Sequence, residues 1–180
     1  MTLRPGDGNE VVEAYRYVMQ LRHQPAVLAL SRQPLPTLDR SKYAPASGVA
    51  QGAYVLADAR GGNPELILIA SGSEVSLVAE AYERLLKEGI RARVVSMPSW
   101  DIFEHQTQEY RESVLPPNLK VRLAVEQAST FGWERYVGEK GRVIGMHTFG
   151  VSAPLKELQK KFGFEPDQVV AVAKELLAAK

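Results

Sequence analysis

Residues 65–97 read ELILIASGSEVSLVAEAYERLLKEGIRARVVSM, and their order decides the fold. Leu66 to Ala70 is a continuous apolar run, the pattern of a strand buried on both faces. Ser71-Gly72-Ser73 interrupts it with small turn residues, and Ser73 stands where a hydroxyl would cap the helix that follows. That helix reads from Glu74 and stops at Gly89, after which Ile90 to Met97 is again a strand. A strand, a helix and a strand joined by short turns form a crossover unit, which sets the two strands parallel.

The alternation continues downstream. Gly52 to Asp58 (GAYVLAD) reads as a strand, joined to the next only through the turn cluster ARGGNP, so it is expected to run antiparallel in the sheet. A helical stretch spans Trp100 to Val114 and is closed by Pro116 and Pro117. KVRLAVEQ and RVIGM are further strands. Pro154 opens a penultimate helix, and Asp167 is the expected cap of the last. The predicted class is α/β: a three-layer α/β/α sandwich with a mostly parallel sheet and one antiparallel strand.

Upstream, Asp7 followed three residues later by Glu10 resembles a capping box, and the helix it opens runs to about Arg22. Val11, Ala14, Tyr15, Val18 and Leu21 recur at helical spacing and mark its apolar face. Ala26 to Leu30 then reads as a strand buried on both faces, tipped by Ser31 and Arg32. No strand is evident ahead of it, so this helix and strand are expected to be one piece of a larger unit. Residues 33–50, with prolines at 34, 36 and 45, read as an ordered linker.

Composition narrows the function classes. Lys and Arg number 22 against 21 Asp and Glu, scattered among one another, which excludes the basic patch of a nucleic-acid binder and the polybasic stretch of a membrane-surface protein. A small-molecule or protein partner remains. With no cysteine there are no disulfides, thiolate nucleophiles or zinc–thiolate sites, which fits a reducing compartment. No apolar run is long enough to cross a membrane, and MTLRPGDGNE carries no signal core. A cytoplasmic location is expected.

Few side chains suggest chemistry on spacing alone. IASGSEV places backbone amides at a helix start, where phosphates bind, but lacks a dinucleotide fingerprint or a P-loop lysine, and a capping role accounts for Ser73. His23, His105 and His147 stand at no metal-ligand spacing, and His23 suits a helix C-terminus. Glu126 ends a buried strand at the edge where open α/β sheets bind ligands, yet no second carboxylate is evident to share acid–base work, which favours a structural or interface role. Trp100, Phe103, Phe131, Trp133 and Tyr136 follow strands and suit either a pocket wall or an interface. Arg32, at a strand tip, has the planar fork that grips carboxylate or phosphate in two places; a salt bridge to a neighbouring carboxylate fits the spacing equally.

RPGDGNEVVEAY, PAVLALSRQPLP, GAYVLAD, ILIASGSEVSL, RARVVSMPSWDIFEHQ, YRESVLP, and GMHTFGVSAP through KKFGF, in this order and spacing, resemble the C-terminal third of transketolase. Transketolases are thiamine-diphosphate enzymes of the pentose phosphate and Calvin pathways. They transfer a two-carbon ketol unit between ketose and aldose phosphates. The resemblance implies that residues 1–32 end a truncated pyrimidine-binding domain, 33–47 link, and 48–180 form the C-terminal domain. It implies thiamine diphosphate and a divalent metal, Mg or Ca, held across a homodimer by upstream domains. It also implies that Arg32, matching the arginine of the family's SR, binds the sugar phosphate, beside a structural Ser31. No catalytic, cofactor-binding or metal-binding residue of the family has a counterpart here, so the isolated chain is expected to be inert. Two alternatives stand: a standalone non-catalytic α/β binding or regulatory module, and part of a related thiamine enzyme such as dihydroxyacetone synthase.

Overall fold

The fold follows from a computed structural model that describes residues 1–179. Five strands form the main sheet: β3 (Tyr54–Ala57), β4 (Leu66–Ala70), β5 (Ala92–Ser96), β6 (Arg122–Ser129) and β7 (Arg142–Met146), in the order β3-β5-β4-β6-β7. All neighbours pair parallel except β3, which runs antiparallel along β5 at the sheet edge rather than beside β4. Every residue of β4 is buried because the sheet is covered on both faces. Leu66, Leu68 and Ala70 enter one core while Ile67 and Ile69 enter the other, as the two-residue period of a strand requires.

The helix α2 (Glu74–Lys87) packs on the first face with α7 (Pro166–Ala178), through a stripe that includes Val78, Ala81 and Leu85. Burying each of the larger side chains, Val78 and Leu85, contributes about 1.5–3 kcal/mol. The opposite face is covered by residues of α3 (Trp100–Glu104), α4 (Gln108–Val114) and α5 (Glu134–Val137). The remaining helix, α6 (Leu155–Phe162), buries none of its residues. The three-layer α/β sandwich matches the sequence expectation. The stretch from Trp100 to Val114 divides into two helices, because Thr107 caps a new one by accepting a hydrogen bond from the Tyr110 amide.

The N-terminal region departs further from expectation. α1 (Gly8–Val18) is capped by Asp7, whose Oδ1 accepts from the Glu10 amide at 2.8 Å, but it ends before Arg22, leaving His23 in an exposed turn beyond it. A strand does precede it: β1 (Thr2–Leu3) pairs in parallel with β2 (Val27–Leu28). The run Ala26–Leu30 is not a buried strand. Only two residues pair, and Val27 and Leu30 are 61% and 52% exposed, since this two-stranded sheet has no covering layer on its outer side. Two assigned caps also change. Ser73 has helical backbone angles and turns its hydroxyl to Glu74, while the last helix begins after Glu165 with Pro166 in its first turn, so that Asp167 lies inside it.

Candidate functional site

The carboxyl ends of β4, β5 and β6 open onto a crevice of about 310 Å³, lined by Arg4, Ser71, Pro98, Trp100, Glu126 and Trp133 among others. The segment after β1 lies across it. The Arg4 amide donates to the Pro98 carbonyl at 2.7 Å, and the Gly72 amide donates to the Arg4 carbonyl at 2.9 Å, so one residue ties together the exits of two strands. Its guanidinium makes the fork contact with Glu126: Nη1 to Oε2, and Nη2 to Oε1 at 2.8 Å. Glu126 is buried and also accepts from the Ala128 amide at 2.9 Å and from the Trp133 indole at 3.3 Å. Its contacts are internal, with the structural role that the sequence left open beside an interface one, and its partner is an arginine that sequence reasoning passed over.

A second carboxylate faces the same cation. Glu74 is fully buried, with Oε2 at 3.6 Å from Arg4 Nη2 and no hydrogen bond to that oxygen. Burial pushes its pKa up to about 7, against the hydrogen bond from Ser73 and with the charge of Glu126 adding to the rise. Burial opposes the charge on Arg4, but the hydrogen bonds and charge of Glu126 outweigh it, and the guanidinium is held more firmly protonated.

A third buried carboxylate, Glu10, sits where α1 meets the antiparallel edge. Tyr54 and Ser96 stand opposite one another in the β3–β5 ladder, and both hydroxyls donate to Glu10 Oε1, at 2.7 and 2.6 Å. Oε2 accepts from the Gly6 amide at 2.7 Å, outside the helix rather than from Asp7 as a capping box would require. Burial raises the Glu10 pKa. Both acids occupy the buried stripe of their helices, Glu10 with Ala14 and Glu74 with Val78 and Leu85. An acid in phase with apolar residues was the signal that would have found them.

Arg32 lies elsewhere, on a cleft of about 410 Å³ with Ser31, Ser73, Ser76, Gln127 and Gln159 among its lining residues. It is exposed, and among the described residues it forms no ion pair with a carboxylate. Ser31 closes a local turn instead, its hydroxyl donating to the Gln33 carbonyl at 2.8 Å and accepting from the Gln33 amide at 3.1 Å. His147 is exposed after β7, and His105 Nδ1 lies 2.6 Å from the Asp101 carbonyl at the end of α3. The aromatics divide: Trp100 meets Trp133 and Tyr136 edge-on at 5.1 Å, Phe103 is core, and Phe131 is exposed. Among the described residues no group of three or more His, Cys, Asp or Glu side chains is placed to hold a metal. Glu10 and Glu126 are committed to buried internal partners and Glu74 faces Arg4, so these residues do not fit a metal–diphosphate site.

The family model described as transketolase-like TK C-terminal domain matches residues 52–165. The transketolase of Halalkalibacterium halodurans is 52% identical over 99% of this chain and 27% of its own length. A chloroplastic transketolase of Craterostigma plantagineum is 48% identical over 98% of the chain and 34% of its own. The crystal structure of Pichia stipitis transketolase in complex with sedoheptulose-7-phosphate superposes with a TM-score of 0.86 at 38% identity, covering 98% of this chain and 25% of that one. The chain therefore spans between a quarter and about a third of the length of these relatives.

Proposed function

The chain belongs to the transketolase family, and from that premise we propose that it serves as the C-terminal part of an enzyme moving a two-carbon ketol unit between ketose and aldose phosphates, with Arg32 holding the substrate phosphate. The observation that carries this reading is the state of Arg32, which is exposed on a cleft and, among the described residues, without an acidic partner. An always-charged fork remote from the reacting carbons is what orienting a phosphorylated sugar requires. Thiamine diphosphate, when bound, supplies the ylid and the electron sink; this cofactor, its divalent metal and the dimer contact belong in this proposal to the domains that the longer relatives have upstream. Residues 1–32 act as the end of that upstream unit, 33–47 as a linker and 48–180 as the C-terminal domain, which contains the whole of the matched span. The cysteine-free composition suits a cytoplasmic setting, and among the described residues no helix is long and apolar enough to cross a membrane.

The test is a chimera in which this chain replaces the matching segment of the Halalkalibacterium halodurans transketolase. Thiamine-dependent ketol transfer is expected. Arg32→Ala should raise KM for a ketose phosphate about a hundredfold while changing that for an unphosphorylated ketose less than about threefold. Equal effects on both substrates overturn the phosphate role.

A further inference from the structure

In open α/β sheets, ligands bind at the carboxyl ends of adjacent strands whose connections leave in opposite directions. Here those strands are β4, which connects through α2 to β5 on one side, and β6, which leads to β7 on the other. One wall of that crevice is supplied by the chain's own N-terminal segment. Arg4 enters it with its backbone bonded to Gly72 and Pro98 and its side chain forked onto Glu126, while Glu74 flanks the guanidinium. Gly6 follows so closely along α2 that a Cβ there would lie 2.7 Å from that of Val75.

The consequence runs along the chain to Arg32. Leu3, the residue before Arg4, accepts the Ala29 amide at 2.9 Å, and Met1 accepts the Val27 amide at 2.9 Å. The position of β2 is therefore set by β1, and Arg32 stands three residues past the last of these bonds. We propose that Arg4 is a positioning residue: the C-terminal domain uses its ligand crevice to clamp the segment ahead of it, and through β1 and β2 this clamp fixes where Arg32 stands. The clamp stands on the geometry alone, whereas its consequence for substrate binding rests on the phosphate reading of Arg32.

Because the chain has no cysteine, Gln33→Cys and Lys87→Cys can carry a pair of spin labels, one beside Arg32 and one at the end of α2. A single narrow distance is expected with Arg4 intact. Arg4→Met should broaden the distribution about twofold, and Arg4→Lys, which keeps one charged donor, should broaden it less and serves as the test if Arg4→Met does not fold. In the chimera, Arg4→Met should raise KM for a ketose phosphate about tenfold with kcat within about twofold, and Arg4→Lys should recover part of the loss. An unchanged distribution overturns the proposal. So does a broadened distribution with KM unmoved, provided Arg32→Ala does move it. Broadening together with an Arg32→Ala variant of normal KM overturns the phosphate reading alone and leaves the clamp in place.

Discussion

Arg4 and Glu126 are separated by 122 residues in sequence and meet through both arms of the guanidinium at the mouth of the sheet. The carboxylate end of the pair is buried and fully hydrogen-bonded, so the pair belongs to the class whose partial removal is costly. Glu126→Ala removes the forked partner of a partly buried cation, leaving it only Glu74 at 3.6 Å, and frees the Ala128 amide and the Trp133 indole as well. We expect it to destabilise the chain by about 3–5 kcal/mol, measured by urea unfolding. Glu126→Gln keeps the acceptor but not the charge and should cost about 2 kcal/mol. Equal, small losses from both would show that the fork contributes nothing net.

Glu74 gives stability a pH dependence of definite sign. Burial in the folded state pushes its carboxyl from an ordinary 4.5 up to about 7. Between those values the folded state holds the extra proton, so stability falls as pH rises through the window and stays lower above it. Below the unfolded value both states are protonated and the penalty vanishes. The window amounts to about 3 kcal/mol. Glu10, also raised by burial, pulls in the same direction, so the contribution of Glu74 is isolated by comparison with Glu74→Gln. That variant should unfold at higher temperature than the parent at pH 8, by about 2–3 kcal/mol in stability, with a gap below about 1 kcal/mol at pH 5. A gap that does not narrow between pH 8 and pH 5 counts against a raised pKa.

Two glycines of nearly equal φ separate backbone strain from steric exclusion. Gly52 (φ 82°) and Gly89 (φ 77°) both occupy the left-handed region, where a Cβ costs about 1 kcal/mol. Around Gly89 there is open space, whereas a Cβ on Gly52 would lie 2.2 Å from the Phe103 amide nitrogen and 2.5 Å from the Ser99 carbonyl oxygen. Gly89→Ala should therefore cost about 1 kcal/mol, and Gly52→Ala more than about 3 kcal/mol because backbone must move to admit it. Thermal melts of the two variants measure the difference.

The layered sheet was legible because its signal is local. A run such as Leu66–Ala70, buried on both faces, and a helix stopped by Gly89 state their structure within a few residues. The same logic failed at Ala26–Leu30, where an apolar run of the same kind is left on the surface, because burial depends on what packs against a segment and not on the segment alone. Glu126 was legible as a position near the carboxyl end of a strand, although β6 continues past it through an irregularity to Ser129, and its partner was not legible. The Arg4 contact spans most of the chain, and nothing in RPGDG announces it. Glu10 and Glu74 sat in the apolar phase of their helices and were readable in principle, while the local capping interpretation of Glu10 and Ser73 hid the longer-range contacts.

The apolar surface around α1 follows from the same failure. Val12 and Tyr15 are exposed on this helix and Met19, 75% exposed, at its cap; Val27 and Leu30 of the following segment are exposed as well. Tyr15 was expected on the buried face, but that face is taken by Glu10 and Ala14, which meet the sheet edge and the 3-10 helix Ala46–Gln51. If residues 1–32 end an upstream domain as proposed, the rest of that domain is expected to cover this outer surface, and a polar residue there then has opposite consequences in the two settings. Met19→Gln should leave the stability of the 180-residue chain within about 0.5 kcal/mol of the parent, as at any exposed site. In the chimera the same change would bury an amide without a partner and cost about 2 kcal/mol, seen as a lower melting temperature. Identical effects in both settings would mean that α1 presents this face to solvent in the assembled enzyme as well.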